Sequence, residues 1–277
     1  MRPERLSATR LLASAALAVT LALSVAGCET TGDDITGSIG AAGASQAPHT
    51  DAQWRQYANV WGARYHANPG DAKAAMAYAD ALSATEQRAQ AVAVLRQAAM
   101  RNPTNRPLLG AYGRALAGAG DYKEALDALS RAHTPDNPNW RILNAQGAVL
   151  DQMGRHKEAQ RYYASALKIV PNEPSVLSNL GLSYALQKHL RQAEKTLRKA
   201  VAQPNARPKV RQNLALIVGL EGRFAEAERI ARADLPADQA EANVAYLRQM
   251  LARQKQWSKR GRRHRGQPPY VSSNGDS

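Results

Sequence analysis

The residue with the most distinctive chemistry is Cys28, the only cysteine among 277 residues. A single thiol cannot form an intramolecular disulfide. It follows a basic start with Arg2, Arg5 and Arg10, an apolar run over residues 11–25 and two small residues. The apolar run is shorter than the about 20 residues that a membrane span needs. This order of segments is typical of a secretory signal peptide, so the sequence predicts export and removal of residues 1–27.

The residues around the predicted cleavage point, LSVAGC, resemble the lipobox of bacterial lipoproteins. The resemblance implies cleavage between Gly27 and Cys28 and acylation of Cys28. The alternative is an ordinary secretory signal with an incidental cysteine. Because Glu29 rather than an aspartate follows the cysteine, lipoprotein sorting rules imply a lipid-anchored protein at the bacterial outer membrane, facing the periplasm.

Motifs typical of catalysis or metal binding do not occur in the sequence. The six histidines share no metal-ligand spacing, and no second cysteine is available to join them. There is no nucleophile elbow, phosphate-binding glycine loop or zinc-protease motif. We interpret the recurring carboxylates Glu124, Asp151, Glu158 and Glu226 as solvated helix faces. The sequence therefore predicts a protein that is not an enzyme and has no metal or other cofactor.

Polar side chains with the spacing of a peptide-binding surface do occur. Asn179 and Asn213 are offset by 34 in the sequence, which is also the period of an internal repeat. A row of amides can hydrogen-bond the backbone of an extended peptide. The alternative is that these amides satisfy neighbouring helix carbonyls. The candidate peptide-binding residues lie on the first helices of successive predicted helical pairs and are Arg141, Asn144, Ser178, Asn179, Lys209, Gln212 and Asn213.

The elements that position these residues belong to this internal repeat, whose period of 34 holds without insertions. Its clearest copy, residues 174–200, reads as two amphipathic helices joined by a tight turn, and neither helix can bury its apolar stripe alone. One column holds only small residues, which predicts close approach of the two helices: Ala79, Gly113, Gly147, Gly181 and Ala215. The turn column contains Gly120, Gly154 and Gly222, but Glu86 and Lys188 stand at this place in two copies.

The period of 34, together with the runs GDYKEAL and GRHKEAQ, resembles the tetratricopeptide repeat. The resemblance implies an all-α fold, an α-solenoid of helix-turn-helix pairs. It also implies a concave surface, lined by the first helix of each pair, that binds protein partners.

The predicted organisation of the chain has six parts. They are a signal peptide at 1–27, a lipidated flexible linker at 28–50, a half-repeat helix at 51–71, five repeats at 72–241, a capping helix at 242–257 and a basic disordered tail at 258–277. The half-repeat helix carries an aromatic stripe that could bind a partner or a membrane, or could pack against the first repeat; packing is favoured because an end helix must bury one face.

The net charge of +14 is concentrated partly at the C-terminus. Removing residues 1–27 takes away three arginines and one glutamate, which leaves +12. After export, the anionic surfaces that could attract the basic tail are lipid headgroups, lipopolysaccharide or an acidic protein, whereas nucleic acid is not expected as a partner. The alternative is a solvated tail without a specific role.

Longer runs resemble the TadD lipoproteins of the tight-adherence (Flp/Tad) pilus assembly system. These are GRHKEAQRYYASAL, PNEPSVLSNLGLSYAL, VRQNLALIVGLEGRFAEAERIARADLP and NVAYLRQMLARQ. The resemblance extends from residue 28 to about residue 257 and implies a membrane-anchored scaffold whose protein partners belong to the pilus secretion machine, including its outer-membrane secretin. The alternatives are a lipoprotein scaffold for outer-membrane protein assembly and a regulator of a cell-wall enzyme.

Overall fold

The computed structural model describes residues 50–265, and this part of the chain forms twelve helices. Their bounds are α1 Asp51–Ala67, α2 Ala72–Ala84, α3 Arg88–Arg101, α4 Arg106–Ala119, α5 Tyr122–Arg131, α6 Trp140–Gln152, α7 His156–Ile169, α8 Pro174–Leu186, α9 Leu190–Val201, α10 Pro208–Leu220, α11 Phe224–Ala231 and α12 Ala237–Arg265. The predicted all-α solenoid is confirmed.

Five antiparallel helix pairs, from α2 with α3 to α10 with α11, stack in sequence order. The first helices of successive pairs contact one another, from α2 through α4, α6, α8 and α10 to α12. Among the described residues, the second helices of successive pairs do not. The stack is therefore shorter on the side of the first helices, which form its inner layer. We call the exposed side of α2, α4, α6, α8 and α10 the inner surface.

Small residues on the first helices allow the two helices of a pair to pack closely, as the sequence predicts. A Cβ atom at Gly113 would lie 2.6 Å from Leu129 Cγ. At Gly147 it would lie 2.5 Å from Tyr163 Cε1, and at Gly181 it would lie 2.8 Å from Leu197 Cγ. Atoms this close overlap strongly, so the cores of these three repeats require glycine at this position.

The turns inside the pairs use the left-handed backbone conformation. Gly120 and Gly154 have φ of 92° and 74°, a region that glycine enters without a steric cost. Glu86 and Lys188 occupy the same place with φ of 62° and 66°. The repeat geometry therefore imposes this conformation even where the residue has a Cβ atom.

Helix α1 begins and packs as expected for an end helix. Thr50 and Gln53 form the predicted capping box, in which Gln53 N donates to Thr50 Oγ1 at 3.3 Å and Thr50 N donates to Gln53 Oε1 at 3.1 Å. Tyr65 is buried and Trp61 packs against the same core. Trp54 and Tyr57 extend this aromatic row, with an edge contact between Trp54 and Tyr57 and a tilted contact between Tyr57 and Trp61.

The last helix is longer than the sequence analysis predicts. It begins after Pro236 and continues to Arg265, so residues 258–265 of the predicted disordered tail are helical. The run from Lys255 to Arg265 contains no proline and is rich in Arg, Lys and Gln, which favour helix. Within residues 50–265, no helix combines the length and apolar character needed to cross a bilayer.

Several predictions concern residues outside the described range. These are the signal peptide, lipidation at Cys28, the linker up to residue 49 and residues 266–277 of the tail. They remain predictions from the sequence.

Candidate functional site

Polar side chains join neighbouring first helices along the inner layer. Asn179 Nδ2 donates to Asn144 Oδ1 at 3.0 Å, and Asn213 Nδ2 donates to Ser178 Oγ at 2.9 Å. Each bond spans 35 residues, one more than the repeat period. The amides thus pair with side chains of the preceding repeat rather than with helix carbonyls. We call these four residues the amide ladder.

One member of the amide ladder lies deeper than the sequence analysis predicts. Ser178 is only 5% exposed, so its prediction as an open-surface residue is corrected. Contact between α8 and α10 covers it, and its hydroxyl oxygen accepts the bond from Asn213. Asn144, Asn179 and Asn213 are half-buried. They therefore form the part of the ladder that is open to a partner.

The remaining predicted residues flank the amide ladder. Arg141 is half-buried, with its guanidinium carbon 4.5 Å from the centroid of the Trp140 ring. Gln212 is half-buried and Lys209 is exposed. Two hydrogen bonds thus connect four of the seven predicted residues to one another, and Arg141 and Lys209 lie on the same first helices, α6 and α10.

The sequence analysis missed a charged pair on the inner surface. Asp80 and Arg114 are one repeat period apart, on α2 and α4, so they occupy the same position in neighbouring repeats. Desolvation by the surrounding protein raises the pKa of Asp80 to about 6, although the Arg114 charge opposes this rise. Desolvation also lowers the pKa of Arg114, as does the nearby Arg141 to a smaller extent. The repeat spacing was the signal that could have revealed this pair.

Aromatic residues of α1 lie beside this charged pair. Burial raises the pKa of the Tyr57 hydroxyl, and the Asp80 charge raises it further. The carboxylate therefore lies within electrostatic reach of both Tyr57 and Arg114. At this end the inner surface combines aromatic rings with charges of both signs.

Asp151 is not the solvated carboxylate that the sequence analysis predicts. Its side chain is 8% exposed, with Oδ1 at 2.8 Å from His156 Nδ1 and also from Ser183 Oγ. Tyr163 donates to Oδ2 at 2.9 Å. Burial, followed by the Asp151 charge, raises the pKa of Tyr163 well above its usual range. The carboxylate connects the third repeat with the fourth. Because Ser183 is completely buried, we assign this group a structural role.

Other sites within residues 50–265 offer no comparable surface. No group of His, Cys, Asp and Glu in this range could hold a metal ion. A cleft near the α8–α9 turn is lined by residues that include His189 and Arg191. Its Arg223 already pairs with Glu194 and Glu221, and the bond from Arg223 is the main cause of a lowered pKa at Glu194.

Comparison with known proteins supports the interpretation of the fold. A family model for the tetratricopeptide repeat matches residues 84–147 and 152–217. Proteins with such repeats are generally non-catalytic scaffolds that bind other proteins. No match was found among curated proteins.

Three solved structures have a similar fold. PilW, a widely conserved type IV pilus biogenesis factor, has a TM-score of 0.60 and 19% identity, covering 70% of this chain and 91% of that one. TTC0263, a thermophilic protein with these repeats in Thermus thermophilus, has a TM-score of 0.56 and 21% identity, covering 64% and 98%. The APC/C hetero-tetramer Cut9-Hcn1 has a TM-score of 0.56 and 15% identity, covering 71% and 40%. At these identities the similarity shows the fold.

Proposed function

We propose that this tetratricopeptide-repeat chain is a membrane-anchored scaffold for assembly of a tight-adherence pilus, with partners that include the outer-membrane secretin. The proposal that this chain binds proteins rests on one observation. The inner surface presents amides and charges along consecutive first helices, held at a regular spacing by the repeat. A segment of a partner lying along this surface would meet a donor or an acceptor in several successive repeats.

The amide ladder suits the backbone of an extended segment. A side-chain amide has two N–H groups and a carbonyl oxygen. The bond from Asn179 to Asn144 uses one N–H group of Asn179, and the bond from Asn213 to Ser178 uses one of Asn213. Both amides thus retain the chemical capacity to contact peptide groups, while their existing bonds restrict their orientation. Such pre-organisation reduces the entropic cost of binding.

Charges beside the ladder favour an acidic group on the partner. Arg114 and Arg141 lie close enough for their charges to interact, so an anion between them would relieve repulsion between the two guanidinium groups. A guanidinium group binds a carboxylate through two parallel hydrogen bonds. We therefore expect the preferred segment to carry Asp, Glu or a terminal carboxylate near this end of the ladder.

The pilus assignment rests on sequence and is supported by the fold. The runs that resemble TadD lipoproteins cover most of α7, α8, α10 and α11, of which α8 and α10 belong to the inner layer. PilW, a pilus biogenesis factor, has the same fold. The LSVAGC run and Glu29 support a lipid anchor at the outer membrane, facing the periplasm. Neighbouring genes for a pilin, a secretin and a secretion ATPase would agree with this proposal.

Deletion of the gene in its own bacterium tests the proposal. We expect loss of surface pili and of the secretin multimer from membrane fractions, and restoration of both by the complete chain. A Cys28→Ser chain should be extracted from membranes by high salt, which does not remove a lipid-anchored protein, and it should restore neither pili nor secretin multimers fully. Normal pili and secretin multimers after deletion would contradict the pilus assignment. A general defect in outer-membrane proteins or in the cell wall would instead favour one of the two alternatives.

A further inference from the structure

Helix α12 extends beyond the packed end of the solenoid. Its buried side chains include Ala240, Val244 and Leu247, and it packs on α10 and α11. After Leu251 it continues for 14 residues to Arg265, a length of about 21 Å. At positions 252–254, 256 and 257 the side chains are exposed. We call residues 252–265 the projecting segment. Packing within the described chain does not explain the exposed side chains at these five positions.

An exposed aromatic side lies along α12. Trp257 is 79% exposed and Tyr246 is 65% exposed. The two are 11 residues apart, which is about three helical turns, so their side chains leave the helix on the same side. Val244 and Leu247 face the solenoid instead. Tryptophan and tyrosine have an apolar ring and a polar tip, and they are enriched where an apolar phase meets water.

The same part of the helix is strongly basic. Between Ala242 and Arg265 the sequence has eight Lys and Arg residues and no Asp or Glu. Arg248 packs over the Phe224 ring, with 4.8 Å from its guanidinium carbon to the ring centroid. Six of the remaining seven lie after residue 254. Like charges at this density repel one another along a helix. An anionic surface would attract each of these basic groups and so offset the repulsion between them.

We propose that the projecting segment binds the surface of an anionic phospholipid bilayer, with Trp257 at the level of the headgroups and the Lys and Arg residues near their phosphates. A helix rich in Lys and Arg that also carries tryptophan is typical of binding at a membrane interface. Each basic residue near such a surface contributes an affinity factor of about five. Nucleic acid would also attract the charge, but the predicted export signal makes lipid the appropriate anionic surface. The proposal is independent of the inner surface and of the pilus assignment.

Co-sedimentation of the full 277-residue chain with vesicles tests this proposal. All chains carry Cys28→Ser and keep the same N-terminal residues, so any contribution of those residues cancels. The test variant changes four residues of the projecting segment: Arg260→Gln, Arg262→Gln, Arg263→Gln and Arg265→Gln. The matched control removes four exposed arginines elsewhere: Arg55→Gln, Arg106→Gln, Arg161→Gln and Arg191→Gln. Circular dichroism verifies that both remain folded.

For vesicles containing phosphatidylglycerol at low salt, we expect the test variant to lose affinity by at least about tenfold and the control to change much less. The difference should disappear with phosphatidylcholine vesicles and shrink at high salt. Anionic vesicles should also shift tryptophan emission to shorter wavelength in the starting chain, and less so after Trp257→Phe.

Three outcomes would overturn the proposal. They are equal vesicle binding by test and control variants, an emission shift of undiminished size after Trp257→Phe, and a loss of binding to a DNA oligonucleotide with vesicle binding unchanged. The last would indicate a nucleic-acid surface instead. None of these outcomes bears on pili or on the secretin, so this proposal and the proposed function fail separately.

Discussion

The side-chain amide of Asn179 donates a 3.0 Å hydrogen bond to Asn144, which lies 35 residues earlier in the chain. This offset of 35 residues exceeds the repeat period of 34 by one. The donor therefore lies one position later within its repeat than the acceptor lies within the preceding repeat. Asn213 and Ser178 have the same offset. Neighbouring repeats are thus connected by polar side chains beside the surface that we propose binds partners.

Removing the donors of the amide ladder should weaken both partner binding and folding. We expect Asn179→Ala with Asn213→Ala to lower the free energy of unfolding by about 1–3 kcal/mol, since each net hydrogen bond contributes about 1 kcal/mol. Affinity for a partner identified by cross-linking should fall by about tenfold or more. Urea unfolding and calorimetry measure the two effects. Gln192→Ala, at an exposed residue of α9, is the control. Unchanged affinity would remove these residues from the binding surface.

The close approach of helices at Gly147 predicts a large effect of one methyl group. In Gly147→Ala the new Cβ atom would lie 2.5 Å from Tyr163 Cε1, and Tyr163 is held by its bond to Asp151. We expect a loss of about 1–3 kcal/mol in urea unfolding.

Gly118→Ala is the matched control for this prediction. It also lies within a first helix, but no atom would be within 4 Å of its Cβ. It should be neutral or stabilising by up to about 1 kcal/mol. Equal effects of the two substitutions would contradict the proposed role of the small-residue column.

The helix pairs could be predicted from the sequence because the residue type at several repeat positions is determined by packing within one pair. A column that contains only Gly and Ala, such as Gly113 and Gly147, reflects close backbone approach whichever helix lies opposite. Glycines in the turn column, such as Gly154 with φ of 74°, likewise reflect a local backbone requirement. These constraints act within one repeat, so a single sequence reveals them.

Features that depend on contacts between repeats were harder to predict. Ser178 was assigned to the open surface because it lies on the first helix of its pair, but α10 covers it. Asp151 looks like a solvated carboxylate in the sequence, and only the fold brings His156, Tyr163 and Ser183 around it. The electrostatic interaction between Asp80 and Arg114 also crosses a repeat boundary. Polar partners can vary from repeat to repeat, so they leave a weak periodic signal.

Backbone strain at Lys188 predicts that glycine stabilises this turn. A residue with a Cβ atom costs about 1–2 kcal/mol in the left-handed region, and Lys188 has φ of 66°. We expect Lys188→Gly to raise the free energy of unfolding by about 1 kcal/mol, because the gain is reduced by the greater freedom of the unfolded chain. The reciprocal Gly154→Ala, one repeat earlier, should lower it by a similar amount. Urea unfolding measures both, and a loss of stability in Lys188→Gly would contradict this account.

Arg211 compensates for the charge of Asp234, which stands where the four earlier repeats have Ala98, Ala132, Ala166 and Ala200. Asp234 is nearly buried, with 7% of its side chain exposed, and Arg211 Nε donates to its Oδ2 at 2.7 Å. Arg211→Ala should cost about 2–4 kcal/mol, because it leaves a buried charge without its partner.

The double variant Arg211→Ala with Asp234→Ala tests the reason for that cost. It should recover most of the loss, since alanine is the residue found at this place in the earlier repeats. Thermal unfolding of the two single variants and the double variant completes the cycle. Additive effects would contradict coupling between the two residues.

Asp80 predicts a defined dependence of stability on pH. Its folded pKa of about 6 lies above the ordinary value of 3.8, so the native state binds the proton more tightly than the unfolded state does. Stability from this group should therefore fall as the pH rises from about 4 to about 6 and stay level above that range. In Asp80→Asn this decrease of stability with rising pH should be absent. At neutral pH this variant should be more stable than the starting chain by about 1 kcal/mol. The value is small because Asp80, although neighbouring groups remove part of its hydration, still contacts solvent that screens its charge.

Titration of the Asp80 carboxyl by NMR measures the pKa directly. Arg114→Gln should raise this pKa further, because the Arg114 charge is the influence that lowers it. Asp127→Asn is the control: Asp127 is 72% exposed on α5 and pairs with Arg131, so this substitution should not reproduce the gain at neutral pH. Because the Asp80 charge also raises the pKa of Tyr57, Asp80→Asn should lower the Tyr57 pKa. An Asp80 pKa near 4, or one that falls in Arg114→Gln, would contradict the proposed desolvation at this end of the inner surface.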